Sequence, residues 1–134
     1  MLFRSGPADV VDAVKRICTT FPLTGPGLAA GLAALTDTEH ARMVYESNRE
    51  LRRRFSGELS GMGLGVFPSQ TNFVLARFGD GAKAALPAHD FLVARGIVPR
   101  RLAAPAFQDC IRFTLGLDGE MRQTADALRD YLGS

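Results

Sequence analysis

Two arginines in the last third of this 134-residue chain stand where a charged side chain needs a reason. Gly96-Ile97-Val98-Pro99-Arg100 closes a short apolar run on a guanidinium, and Asp109-Cys110-Ile111-Arg112-Phe113-Thr114-Leu115-Gly116 carries another inside a second run. Strand alternation puts Cys110, Arg112 and Thr114 on one face and Ile111, Phe113 and Leu115 on the other. A guanidinium buried on a sheet without a partner is very costly. Arg112 therefore meets either a carboxylate of the chain, with Asp109 and Asp118 the nearest in sequence, or an anionic ligand. The planar fork fits carboxylate and phosphate equally well.

Few other residues offer chemistry. His40 and His89 are far apart with no cysteine or carboxylate cluster between them, which predicts surface histidines and no metal site. Lys15 and Lys83 are the only lysines; the first falls on the exposed side of a helix and the second in or near a loop. No glycine-rich phosphate loop and no nucleophile elbow occurs. Cys18 and Cys110 lie among apolar neighbours and read as buried free thiols of a reducing cytoplasm. Arg52-Arg53-Arg54 is a basic run, but Glu46, Glu50 and Glu58 interleave with it at helical spacing, so it reads as a solvated face. With a net charge of +2, neither nucleic acid nor a membrane surface is expected as partner. The absence of a long apolar run predicts no membrane span, and the N-terminus has no signal-peptide pattern.

The elements that must position the arginines follow from patterning. Gly6-Pro7 with Asp9 opens a first helix, with Pro7 at its first position and Val10, Val14 and Ile17 on one stripe. Gly25-Pro26 opens a second, rich in small residues, through Leu35. Thr36-Asp37-Thr38-Glu39 fits a capping box with Thr36 as cap, opening the longest helix, to about Gly61, on a seam of Val44, Leu51, Phe55 and Leu59. Residues 63–67 and 71–78 read as strands. Pro87 opens a helix that Gly96 terminates, the two arginine strands follow, and residues 124–132 belong to a closing helix, with Met121, Ala125, Leu128 and Leu132 at helical spacing. The chain is expected to be a single domain, residues 1–134, of the α+β class, with a small, mainly antiparallel sheet of three or four strands covered by helices on one face.

Three of these stretches occur together in one known family. Pro68-Ser69-Gln70-Thr71-Asn72-Phe73, Gly96-Ile97-Val98-Pro99-Arg100 and Cys110-Ile111-Arg112-Phe113-Thr114-Leu115-Gly116 resemble, in order and spacing, the C-terminal small domain of histidinol-phosphate aminotransferases, which are fold-type I pyridoxal-phosphate enzymes. The stretches at Gly6–Val10 and Phe21–Pro26 extend the likeness over nearly the whole chain. The resemblance implies that Arg112 holds a substrate carboxylate and Arg100 a substrate phosphate; Arg101, one residue past the motif, would point to the opposite face. It implies amino transfer to 2-oxoglutarate in histidine biosynthesis, in the cytoplasm, with a small anionic amino acid as substrate. It also implies that the large domain, with its cofactor-bearing lysine, lies outside these residues. Neither Lys15 nor Lys83 has the anchor's sequence context, and Arg4 does not match the phosphate-binding arginine. Pyridoxal phosphate is thus the cofactor of the parent family, with no covalent attachment expected here. A homodimer or another partner is expected over the surface that the large domain would cover, and a non-enzymatic anion-binding or interaction domain is the alternative function.

Overall fold

The computed structural model describes residues 6–18 and 23–133, so Arg4 and the Phe21-Pro22 pair lie outside the described residues. The chain divides into two compact units, one up to Ala41 and one from Arg42 onward.

The first unit holds α1 (Ala8–Ile17) and α2 (Gly25–Thr36) and the start of α3 (Thr38–Gly61). Pro7 caps α1 from outside rather than occupying its first turn. Thr24 caps α2, its hydroxyl accepting from Gly27 N at 3.2 Å. The expected cap at Thr36 is displaced by one residue: α2 runs through Thr36, whose hydroxyl donates back to Ala33 O, and Asp37 accepts from His40 N at 3.0 Å instead. A carboxylate at the positive end of α3 is the better acceptor. Neither α1 nor α2 has a buried residue, and Cys18, at the end of α1, is exposed rather than buried as its apolar neighbours suggested. His40 is exposed, as expected.

The second unit is α+β. Strands β1 (Gly65–Val66), β2 (Phe73–Arg77), β3 (Arg100–Arg101) and β4 (Cys110–Thr114) form a four-stranded, wholly antiparallel sheet in the order β1-β2-β4-β3. β2 and β4 pair over five residues, from Phe73 opposite Thr114 to Arg77 opposite Cys110. Because side chains alternate, this register gathers Val74, Ala76, Ile111 and Phe113 on one face, all buried. That face packs into a single core with Leu51, Phe55 and Leu59 of α3, Ala85, Ala88 and Leu92 of α4 (Ala85–Val93), and Met121, Ala125, Leu128 and Leu132 of α5 (Asp118–Leu132). Phe55 meets Phe113 edge to face, with centroids 5.6 Å apart.

Two helix boundaries differ from expectation. α4 begins two residues before Pro87, which sits inside its first turn, where no N–H is required; this places His89 in the second turn, half-buried with Nδ1 3.0 Å from the Asp90 carboxylate. α5 begins at Asp118, one turn ahead of Met121, since Glu120 reaches back to accept from Leu117 N at 2.7 Å. Gly96 ends α4 as expected: at φ 78° it turns the chain so that Ile97 N donates to Leu92 O at 3.0 Å.

The arginine run on α3 is more than a solvated face. Arg53 pairs with Glu50 at 2.7 Å on the surface, but Arg52 donates to Thr71 O at 2.8 Å, and Arg54 bridges Glu58 and Asp118, fastening α3 to the loop before β2 and to α5.

Phe55 joins α3 to the sheet and is 1 % exposed, so Phe55→Ala should cost about 3–5 kcal/mol of unfolding free energy. Denaturant titration would show this as a lowered midpoint with a similar slope.

Candidate functional site

The sheet face away from the core carries Phe73, Leu75 and Arg77 from β2, Cys110, Arg112 and Thr114 from β4, and Arg100 from β3. Arg100 lies directly opposite Arg112 in the β3–β4 ladder, so the two side chains leave the same face as neighbours. Cβ atoms of such pairs are about 5 Å apart, and like charges so placed repel. Arg101 pairs with Ile111 and leaves the other face, as its position past the motif predicts. Arginines on a two-residue edge strand such as β3 can serve simply to discourage edge-to-edge pairing. That account fails for Arg112, because β4 lies between β2 and β3.

Arg112 is half-buried, and its Nε is buried without a hydrogen-bond partner. The two carboxylates nearest in sequence are committed elsewhere. Asp109 accepts from Arg77 Nε at 2.8 Å, and Asp118 is held by Arg54 and Arg122. Hydrogen bonding from Arg54 holds the Asp118 carboxyl below its ordinary range. Among the described residues no ion pair reaches Arg112 or Arg100, so the internal salt bridge is ruled out there. The support of Arg112 is aromatic: its Cζ lies 4.8 Å from the ring centroid of Phe73.

The two arginines line a recess of about 130 Å³ together with Ile97, Val98, Pro99, Thr114, Met121 and Thr124. Ligand pockets for whole small molecules run to about 300–1,000 Å³, so this volume suits an anionic head group and its water, with the rest of a ligand outside. Sequence reasoning found both guanidiniums but missed Thr114, Met121 and Thr124, which come to the recess only through strand register and the docking of α5, and Phe73, which the register brings against Arg112.

On the same sheet face as Arg112, Cys110 is buried, its thiol 3.2 Å from the Asp109 carboxylate, and burial pushes its pKa up. Burial thus disfavours the thiolate, the form that reacts. No group of three or more His, Cys, Asp or Glu side chains fit to hold a metal occurs among the described residues. Lys15 is exposed and pairs with Asp12 at 3.2 Å; Lys83 is exposed in a short turn before α4 and does not line the recess. Lys83 therefore does not stand where a lysine-bound cofactor could meet an anion held by the arginines.

The profile of the aminotransferase class I and II family matches residues 3–128, and the chain belongs to that family. Within it the chain is similar to histidinol-phosphate aminotransferases: it is 41 % identical to that of Rhodospirillum centenum over 94 % of this chain and 35 % of the relative, and 38 % identical to that of Nitrobacter winogradskyi over 95 % and 35 %. The chain thus spans about a third of the length of these curated relatives. Its fold superimposes on the crystal structure of the Sinorhizobium meliloti histidinol-phosphate aminotransferase in complex with pyridoxal-5′-phosphate, with a TM-score of 0.77, 30 % identity and coverage of 93 % of this chain and 34 % of that one. A decarboxylase from Sulfurospirillum multivorans shares the fold alone, at 24 % identity and a TM-score of 0.67 over 92 % of this chain and 36 % of that one. The family uses pyridoxal phosphate.

An unpartnered buried N–H is a stability cost of about 1–3 kcal/mol. Arg112→Met removes the group and keeps the apolar stem, so thermal unfolding of this variant should occur at or above the wild-type temperature.

Proposed function

We propose that this chain is the anion-recognition part of a histidinol-phosphate aminotransferase-like enzyme of the cytoplasm, which passes an amino group to 2-oxoglutarate in histidine biosynthesis. Arg112 holds a carboxylate and Arg100 a phosphate. The observation that carries the reading is Arg112, a half-buried guanidinium on a central strand with no counter-ion among the described residues. The chemistry of the two substrates supports it. The amino donor bears a phosphate and the acceptor bears carboxylates, so a pair of neighbouring guanidiniums can hold an anionic head in either half of the reaction. The recess excludes part of the water around that head, which strengthens the contact, and the head fixes the substrate's orientation.

The chain's own residues bind and orient; none supplies the amino-transfer chemistry. These 134 residues are therefore expected to be inactive alone. A second reading, an interaction domain without enzymatic activity, draws on α2, where Leu28, Leu32 and Leu35 are 62–80 % exposed. A large apolar patch of that kind marks a surface that a second copy or another polypeptide covers.

Both parts of the reading are testable. Titration with inorganic phosphate or histidinol phosphate should move the amide resonances of residues 98–101 and 111–113, saturating weakly and more weakly still as salt is added. The absence of any localised shift at millimolar ligand would refute the assignment of the arginines. Mixing the chain with pyridoxal phosphate and reducing with borohydride should leave no stoichiometric lysine adduct; such an adduct would refute the expected inactivity.

A further inference from the structure

We propose that Phe73 is the positioning residue of the anion site: its ring fixes the Arg112 guanidinium while leaving the positive charge available to a ligand. The inference rests on the reading of Arg112 as an anion holder given above. Phe73 pairs with Thr114, two residues along β4 from Arg112, so ring and guanidinium are diagonal neighbours on one sheet face. That diagonal spacing is within reach of aromatic and long side chains. Here the contact is made, with Cζ 4.8 Å from the ring centroid. No hydrogen bond reaches Nε, and Leu75, opposite Arg112 on β2, offers none from its side chain. The orientation of this guanidinium is therefore set by the ring.

The same sheet face holds an internal comparison. Arg77 lies over Phe67, with Cζ 5.1 Å from the centroid, but its Nε is also bound to Asp109 at 2.8 Å. There a carboxylate sets the orientation and neutralises the charge, leaving a structural ion pair. At Arg112 the ring stands without the carboxylate. The quadrupole of an aromatic face attracts a cation yet carries no net charge to cancel it. A guanidinium held this way is immobilised before ligand arrives, so less freedom is lost on binding, and it still presents a full charge.

The test compares Phe73→Leu, which keeps an apolar side chain and removes the ring, with Phe73→Tyr, which restores it. Affinity for the dicarboxylate 2-oxoglutarate at low salt should fall about three- to tenfold in Phe73→Leu and stay within about twofold of wild type in Phe73→Tyr. In the ligand-free protein the Arg112 Nε–H resonance should carry a ring-current shift that the Leu variant loses and the Tyr variant keeps, and the rescue of affinity by Tyr separates positioning by the ring from mere filling of space. Phe73→Met replaces the Leu variant should that one unfold. Unchanged 2-oxoglutarate affinity in Phe73→Leu alongside loss of binding in Arg112→Gln would overturn the inference and leave the reading of Arg112 standing. Carboxylate binding insensitive to Arg112→Gln would overturn both.

Discussion

The pairing of β2 with β4 is the constraint on which the rest of the second unit depends. Five residues of each strand face one another, and the two-residue side-chain period allots them to opposite faces with no intermediate arrangement. Val74, Ala76, Ile111 and Phe113 enter the core only in this register, and the same register sends Phe73, Leu75 and Arg112 outward together. A slip by one residue would drive the Arg112 guanidinium against Phe55 and expose Phe113. The apolar core therefore determines the position of the charged site, through the contact of Phe55 with Phe113 and the packing of α3, α4 and α5 on one side of the sheet.

How the carboxylates are distributed decides what the arginine face can do. Arg77 takes Asp109, Arg54 and Arg122 share Asp118, and Arg129 reaches across to Glu58 at 3.1 Å. Each of these pairs is at least partly exposed, and such pairs contribute little singly to stability. Two of them commit Asp109 and Asp118, the acids nearest Arg112 in sequence. The outcome is a cation supported by a ring on one side and open to a small recess on the other, with Arg100 beside it.

The first unit poses the opposite problem, of apolar rather than polar groups without partners. α2 is a helix without a charged residue, yet its leucines are exposed. A helix apolar on all sides is at home only when covered, and the relatives that this chain matches are about three times its length. The fold by itself selects no reaction, since an aminotransferase and a decarboxylase both share it. The chemistry lies in the side chains that the outer sheet face carries.

Much of this was legible in the sequence because it rests on local rules. Alternation at 110–115 separated Arg112 from Ile111 and Phe113, the Gly96 stop followed from the need for positive φ, and Arg101 was assigned to the opposite face from Arg100 by parity alone. The α+β class followed from the order of periodic segments. Caps were less legible, since Asp37 competes with Thr36 within one turn and the stronger acceptor wins. What the sequence could not contain was any pairing across long separations. The commitment of Asp109 to Arg77, the bridge from Arg54 to Asp118 and the ring of Phe73 beneath Arg112 arise from strand register and helix docking, which couple residues tens of positions apart. The sequence by itself determined that two arginines would stand on a sheet face; only the tertiary structure decided that Arg112 would find no carboxylate, because a charge is neutralised by whichever partner the packed chain brings within reach.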